Sequence, residues 1–184
     1  MKKSKLALIL AAMVLLYFGF KWEHKFKRPW AYSSGQPLLL GKWEGDFRDP
    51  DGIEKHMVIE IDEPEEESGD YHYALQQFDE AHTFKGHATI TSKLGTERDR
   101  IVGGLGSTDG HDIDRIDFIP LDETKRIRES FNASGTTPGG KWEGDKITLT
   151  LDFIYRTKTG SGYSDSSDPR YKKKVPITLH RVTR

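Results

Sequence analysis

The chain contains 184 residues without a cysteine, and its 28 Lys or Arg nearly balance 29 Asp or Glu. The missing cysteine excludes disulfides, cysteine-based zinc sites, a cysteine nucleophile and a lipid-bearing cysteine. The charge is unevenly divided, since residues 1–30 hold seven basic residues and one Glu, a net charge of +6, which leaves −7 on residues 31–184. A domain with that negative charge repels phosphate backbones, so we predict that it does not bind nucleic acid.

An unbroken apolar run at residues 6–20 follows three lysines near the N-terminus and precedes Lys21 and Trp22. This pattern is typical of an export signal or a membrane anchor, because Lys and Trp favour the headgroup region. As a helix the run extends about 22 Å, which is shorter than the ~30 Å hydrocarbon core and fits either a signal peptide or a short span. Small residues that would mark a cleavage site do not follow the run. We therefore predict that residues 1–21 form an uncleaved signal anchor, a transmembrane helix that contacts the membrane through residues 6–20.

Residues 22–37 are predicted to be a basic juxtamembrane linker, because Lys25, Lys27 and Arg28 precede a stretch rich in Pro, Ser and Gly. Such a stretch either lies against anionic lipid or is solvated. The positive charges on the two sides of the apolar run are nearly balanced. We expect a single-pass protein whose domain lies on the periplasmic or extracellular side, and the alternative is secretion after signal cleavage.

Residues 38–184 show the alternation of apolar and polar residues that is typical of half-buried β-strands. The pattern is clearest at 146–156, where Ile147, Leu149, Leu151 and Phe153 alternate with polar residues. Residues 121–132 fit either a short helix or a strand. Strands are predicted at residues 38–48, 54–62, 71–78, 83–90, 98–104, 113–119, 146–156 and 175–179.

This spacing of short strands predicts an all-β domain at residues 38–184, built as an antiparallel barrel or sandwich. A meandering barrel has no open sheet edges, which a chain so rich in exposed strand would otherwise present for aggregation. We therefore predict an antiparallel meandering β-barrel of about eight to ten strands, preceded by one N-terminal hydrophobic helix.

A hexapeptide occurs twice, as Gly41-Lys42-Trp43-Glu44-Gly45-Asp46 and again at residues 140–145. Each copy places a Trp between two glycines beside a run of alternating residues, and so is predicted to begin or turn a β-strand. The repeat reflects either an old duplication or two solutions to one packing problem. The flanking sequences do not align, which favours the second interpretation.

The tripeptide Gly41-Lys42-Trp43 on the first strand and Arg181 on the last strand resemble the calycins, the lipocalin-like and avidin-like β-barrels. The resemblance implies that Trp43 packs across the closed end of a barrel and that Arg181 lies over its ring, as a structural closure. A guanidinium in that position gains about 0.5–2 kcal/mol. In avidin-like barrels the residue two positions after the Trp is a ligand-binding Asn, and here it is Gly45, so the resemblance does not extend to biotin binding.

An eight-stranded barrel either fills its interior with side chains or holds one small ligand there. Filling with side chains is the simpler expectation. Tyrosines placed inside would need hydrogen-bond partners, which favours some polar or ligand-accessible space. The residues predicted to line a cavity are Tyr73, Phe84, Phe118, Phe153 and Tyr155, together with Trp43 at its closed end.

No pattern of residues predicts catalysis or metal binding. His72 and His87 fall on the mostly polar faces of their predicted strands, and residues 109–114 lack the ligand spacing of a calcium loop. Glu44 and Glu143 occupy matching places in the repeat, but two acids alone do not make a glycosidase site. The sequence contains no nucleophile elbow, phosphate loop or zinc-hydrolase helix. We therefore predict that the protein is not an enzyme and needs no cofactor.

These observations together predict a membrane-anchored envelope module whose β-barrel binds a small, partly apolar ligand or serves an accessory role. The alternative is a protein-interaction module, an inhibitor or assembly factor, that acts through its acidic outer face or through the charged loop at 159–174. A hollow interior would favour the first hypothesis. A solid interior with an exposed apolar patch would favour the second.

Overall fold

A computed structural model describes residues 2–35, 37–64, 80–106, 111–121, 129–134, 140–156, 162–163 and 174–183. The strand predicted at 71–78 and the candidate residue Tyr73 lie outside these ranges.

The predicted N-terminal hydrophobic helix is confirmed as α1 (Lys2–Phe26). A four-residue helix, α2 (Pro29–Tyr32), follows after two residues, and a single 3₁₀ turn spans Glu80–His82. Within the described part of the chain, no helix combines the length and the mean hydropathy of a membrane span. The exposed large apolar residues of α1 are Leu8, Ile9, Leu10, Met13, Val14, Leu15, Leu16, Tyr17, Phe18, Phe20, Trp22 and Phe26.

All remaining regular structure in the described residues is β-strand, and every strand pairing is antiparallel. The strands are β1 (Gly41–Arg48), β2 (Glu54–Ile61), β3 (Thr83–Ser92), β4 (Gly95–Leu105), β5 (Asp112–Pro120), β6 (Glu129–Ser134), β7 (Gly140–Glu143), β8 (Lys146–Arg156), β9 (Gly162–Tyr163) and β10 (Val175–Arg181).

The described strands close into a barrel with eight strand positions around its circumference. From β1 to β5 each strand pairs with the next along the chain, and β10 pairs with both β1 and β8, which closes the cylinder. The short strands β6 and β7 both pair with β5 and with β8, so both lie between these two strands in the barrel. The predicted antiparallel β-barrel is therefore confirmed, and the sandwich alternative is wrong because β10 joins the two edges.

The segment at 121–132, for which helix and strand were both open, ends in a strand. Residues 129–132 belong to β6, where Phe131 lies opposite Phe153 of β8. Residues 122–128 lie outside the described ranges. Pairing with two long neighbouring strands decides the conformation here, which local propensity left undecided.

The buried apolar side chains lie on the inner face of the barrel and follow the predicted alternation. On β2, Met57, Ile59 and Ile61 are buried, and on β8 the same holds for Ile147, Leu149, Leu151 and Phe153. Two core residues come from the segment predicted as a linker at 22–37, because Trp30 and Ala31 of α2 are buried in the same cluster. Part of that segment therefore packs with the barrel.

Candidate functional site

One end of the barrel is closed around Trp43 of β1. Trp43 is fully buried, and Arg181 is its direct partner on β10. The guanidinium carbon of Arg181 lies 4.2 Å from the centroid of the Trp43 ring. The indole Nε1 donates a hydrogen bond of 2.9 Å to the carbonyl of Leu39. Because the indole has one donor and it is satisfied, Trp43 carries no unpaired polar group into the core.

Arg181 makes three hydrogen bonds to two separate parts of the chain. Its Nη1 donates to the carbonyl of Leu40 at 2.8 Å, and its Nη2 donates to the carbonyl of Leu38. Its Nε donates to Oδ1 of Asp145, also at 2.8 Å. The planar fork of an arginine can make all three bonds while its face stacks on an indole, which a lysine cannot do. Arg181 therefore fixes the segment that leads into β1 across this end of the barrel.

Helix α2 packs against the same end. Trp30 is 2% exposed, its Nε1 donates to the carbonyl of Ala81 at 2.8 Å, and its ring meets that of Phe84 edge-on at 6.3 Å. The amide of Leu39 donates to the carbonyl of Trp30 at 2.9 Å, which joins α2 to the segment held by Arg181. We call this region, formed by Trp30, Leu39, Trp43 and Arg181, the capped end.

The second copy of the repeated hexapeptide also reaches the capped end. Trp142 is buried, and its Nε1 donates to the carbonyl of Gly144 at 2.9 Å within its own turn. Its backbone amide donates to the carbonyl of His111 at 2.8 Å, and the two rings lie 5.5 Å apart. The backbone amide of Arg181 donates to the carbonyl of Asp145 at 2.9 Å. Both copies of the repeat are thus attached to Arg181.

The residues predicted to line a cavity fall at two levels of the barrel. Phe84, at the start of β3, is buried at the capped end, and its ring occupies the space where a side chain at Gly103 would lie. Phe118 and Phe153 are buried nearer the opposite end, where the ring of Phe153 lies 6.4 Å from that of Phe47.

The side chains of two candidate residues, Tyr155 and Tyr73, lie outside the described part of the structure. Tyr155 lies two positions beyond Phe153 on β8, where its backbone is paired with Glu129 and Tyr163. Tyr73 lies outside the described residues. The predicted cavity lining therefore remains a prediction for both tyrosines.

A buried ion pair, which the sequence interpretation missed, lies at the opposite end. Lys55 Nζ is 3.2 Å from Oδ2 of Asp49, and both side chains are almost completely buried. Asp49 Oδ1 accepts a hydrogen bond of 2.8 Å from the amide of Ile53, which also shapes the β1–β2 turn. The sequence did contain a signal for the burial of Lys55, because the alternation along β2 places it on the same face as the buried Met57.

The outer face of β1, β2 and β3 carries pairs of histidine and aspartate. His56 Nδ1 lies 2.8 Å from Asp46, and His87 Nδ1 lies 3.3 Å from Asp62. A surface groove of about 330 Å³ is lined by Asp46, Glu54, Lys55, His56 and Thr91. In the part of the chain that the structure describes, no group of three or more His, Asp or Glu side chains is arranged to hold a metal ion.

Comparisons with known proteins identify no family. No protein-family model matches the sequence, and no curated protein matches it. Among solved structures, the chain is similar to a de novo designed fluorescence-activating β-barrel, with 14% identity and a TM-score of 0.43. It is also similar to EF1p2_mFAP2b bound to DFHBI, with 14% identity and a TM-score of 0.46. Each match covers 78% of this chain and 94% of the other chain.

Proposed function

We propose that this protein is a membrane-anchored, calycin-like β-barrel that holds a small, partly apolar molecule in the half of its interior away from the capped end. The observation that carries the proposal is the closure around Trp43 and Arg181, which seals one end of a barrel whose other half contains Phe118 and Phe153. A ligand site in that half would be concave and mostly apolar, with entry from the end opposite the closure.

The side chains in the half of the barrel away from the capped end favour a ligand that has a polar group as well as apolar surface. The rings of Phe47, Phe118 and Phe153 offer apolar surface, while Lys55 and Asp49 place a buried charge pair at the same end of the barrel. A polar group of a ligand there would meet charged hydrogen-bonding partners in a region of low dielectric constant, where such bonds are strong. The proposed role is binding rather than catalysis, because the sequence contains no recognised catalytic motif.

Native mass spectrometry of the full chain, released from detergent micelles after purification, tests the ligand. We expect one small molecule per chain on the wild type, and its loss from Phe118→Trp, which adds bulk inside the barrel. The matched control is Val58→Leu on the outer-facing side of β2, which should retain the molecule. A wild-type chain without any adduct other than phospholipid, or a non-lipid adduct that survives Phe118→Trp, contradicts the proposal.

The membrane anchor is supported by the surface of α1. Its apolar side chains from Leu8 to Phe20 are exposed rather than packed on the barrel. Exposed apolar surface of this extent marks a site for membrane or protein contact, and the lysines before and after the run suit a membrane boundary. In this proposal the barrel lies on the periplasmic or extracellular side.

The location of the barrel is tested by labelling cells with a membrane-impermeant amine reagent. Lys93, in the β3–β4 turn, is exposed at the end of the barrel opposite the cap. We expect Lys93 to be labelled in intact cells, or in spheroplasts if the domain is periplasmic. The labelled protein should remain in the membrane fraction after washing with carbonate. Labelling of Lys93 that appears only after lysis contradicts the proposed side.

The second candidate function, a protein-interaction module, is favoured by two exposed leucines. Leu94 in the β3–β4 turn and Leu121 after β5 both lie exposed at the end opposite the cap. Chemical crosslinking in cells, with Leu94→Ser/Leu121→Ser as the test variant, distinguishes the two functions. A crosslinked partner that this variant loses, while the wild type carries no small molecule, supports interaction rather than ligand binding.

A further inference from the structure

The connection between α1 and the barrel is short and hydrogen-bonded. Lys27 and Arg28 alone separate α1 from α2, whose Trp30 belongs to the capped end. The amides of Ala31 and Tyr32 both donate to the carbonyl of Arg28, at 3.0 and 3.1 Å. Arg28 also reaches back to α1, because its Nη1 donates to the carbonyl of His24 at 3.2 Å. The capped end is therefore held directly against the C-terminal turn of α1.

Positive charge is concentrated at this junction. Lys21, Lys25, Lys27 and Arg28 lie within eight residues that contain one acid, Glu23. Glu23 is paired with Lys27 at 2.6 Å, and that hydrogen bond, with the attraction between the two charges, lowers the pKa of Glu23. Lys21, Lys25 and Arg28 therefore supply three positive charges in addition to this pair.

One of these cations, Lys25, faces α2, and a second, Arg28, is buried at the junction. Lys25 Nζ lies 5.4 Å from the centroid of the Tyr32 ring, and His24 stacks near the same ring at 6.0 Å. Arg28 is 9% exposed, and its Nε has no hydrogen-bond acceptor among the described residues. A buried guanidinium N–H without a protein acceptor is uncommon in folded proteins, and an anionic oxygen of a bound ion or ligand is one of its ordinary partners.

We infer that the α1–α2 junction binds the phosphate headgroup of an anionic phospholipid through Lys25 and Arg28. The inference rests on the membrane anchor proposed above, and it specifies the lipid class that the anchor prefers. Trp22 and Phe26, which are 74% and 77% exposed, lie beside this site on α1. Aromatic residues of this kind favour the headgroup region, where a phosphate is within reach of the junction.

A headgroup bound at the α1–α2 junction would set the orientation of the barrel relative to the membrane. Because the junction leads into α2 without a flexible spacer, a headgroup bound at Lys25 and Arg28 holds the capped end next to the bilayer. The half of the barrel that contains Phe118 and Phe153 then faces away from the membrane. A ligand would enter from the aqueous side rather than from the lipid.

The test uses the full chain in nonionic detergent micelles that contain equal amounts of phosphatidylglycerol and phosphatidylcholine, with native mass spectrometry of the lipid that stays bound. We expect the wild type to retain phosphatidylglycerol preferentially. Arg28→Gln and Lys25→Gln should each lower the ratio of phosphatidylglycerol to phosphatidylcholine by about five-fold, the effect of one positive charge near a membrane surface. Lys93→Gln, which removes an exposed lysine at the far end, should leave the ratio unchanged.

The possible results distinguish failure of the headgroup site from failure of the membrane anchor. Because Lys25 is exposed, Lys25→Gln keeps the test valid even if Arg28→Gln folds poorly. A chain in the micelle that retains both lipids equally, or variants that match the wild type, overturns the headgroup site and leaves the anchor standing. A chain that elutes free of micelles overturns both. Displacement of the lipid by inorganic phosphate at low concentration overturns the lipid as the occupant of the site.

Discussion

Arg181 stacks on Trp43 and at the same time bonds Asp145, so one residue of the last strand joins both copies of the repeated hexapeptide. The two copies perform different tasks. Gly45, in the first copy, passes so close to the backbone of Thr178 that a side chain would not fit. Gly144, in the second, forms a turn with a φ of +60°. These different requirements for glycine favour the interpretation that the repeat reflects two packing solutions rather than an inherited duplication.

Replacing Arg181 by Ala should strongly destabilise the barrel. The stacking on Trp43 is worth about 0.5–2 kcal/mol, and the carbonyls of Leu38 and Leu40 would lose their donors at about 1–3 kcal/mol for each group left unsatisfied. We expect the free energy of unfolding to fall by about 3 kcal/mol in total. Denaturant unfolding, followed by tryptophan fluorescence and near-UV circular dichroism, measures the loss.

Two controls isolate the contribution of the cap. Asp145 is the third partner of Arg181, but its side chain is 70% exposed, so Asp145→Asn should cost less than about 1 kcal/mol. Arg98→Ala removes an exposed arginine from β4 and should change the stability by less than about 0.5 kcal/mol. If Arg181→Ala were no worse than these two variants, the closure would not stabilise the barrel.

The barrel and the faces of its strands could be predicted from the sequence because alternation with a period of two specifies them directly. At 146–156, for example, the buried positions are the apolar ones. The proximity of Arg181 to Trp43 was expected from the calycin resemblance, which supplied a long-range pairing that no local pattern contains. The position of β6 and β7 together between β5 and β8 had no such signal, because it depends on pairing with both of these neighbouring strands.

The roles of Trp30 and Lys55 could not be predicted, for different physical reasons. Helix α2 has four residues, too few for any periodicity, and it follows a basic stretch that is typical of a linker. Lys55 is buried only because Asp49 is buried beside it, whereas a single lysine is expected at the surface. Pairing of this kind depends on the turn at 49–53, which brings Asp49 beside Lys55.

Removing the Trp30 side chain should open the cap. Trp30→Ala removes the contact with Phe84 and the hydrogen bond to Ala81, and we expect a loss of about 3 kcal/mol in the free energy of unfolding. Hydrogen exchange at Leu39, whose amide is bonded to Trp30, should accelerate. The matched control is Trp22→Ala, since Trp22 is exposed on α1 and its loss should leave barrel stability unchanged within about 0.5 kcal/mol. Equal effects of the two variants would contradict a role for α2 in closing the barrel.

A methyl group at Gly103 should conflict with Phe84. A Cβ built on Gly103 overlaps the Phe84 ring, whereas one built on Gly35 meets nothing within 4 Å. We expect Gly103→Ala to destabilise the barrel by about 1–3 kcal/mol through overpacking, while Gly35→Ala is neutral or slightly stabilising. In a double-mutant cycle, Phe84→Leu should relieve part of the loss caused by Gly103→Ala. Strict additivity of the two substitutions would show that the two side chains do not share this space.

The buried pair of Lys55 and Asp49 should behave as a unit. Lys55→Met leaves the Asp49 carboxylate buried without that ammonium, and we expect the free energy of unfolding to fall by about 3–5 kcal/mol. Asn at position 49 retains the oxygen that accepts from Ile53, so Lys55→Met/Asp49→Asn should recover most of the loss. The control is Lys42→Met, which replaces an exposed lysine of β1. If the double variant is no more stable than Lys55→Met alone, the cost comes from lost packing of the lysine chain rather than from the uncompensated charge.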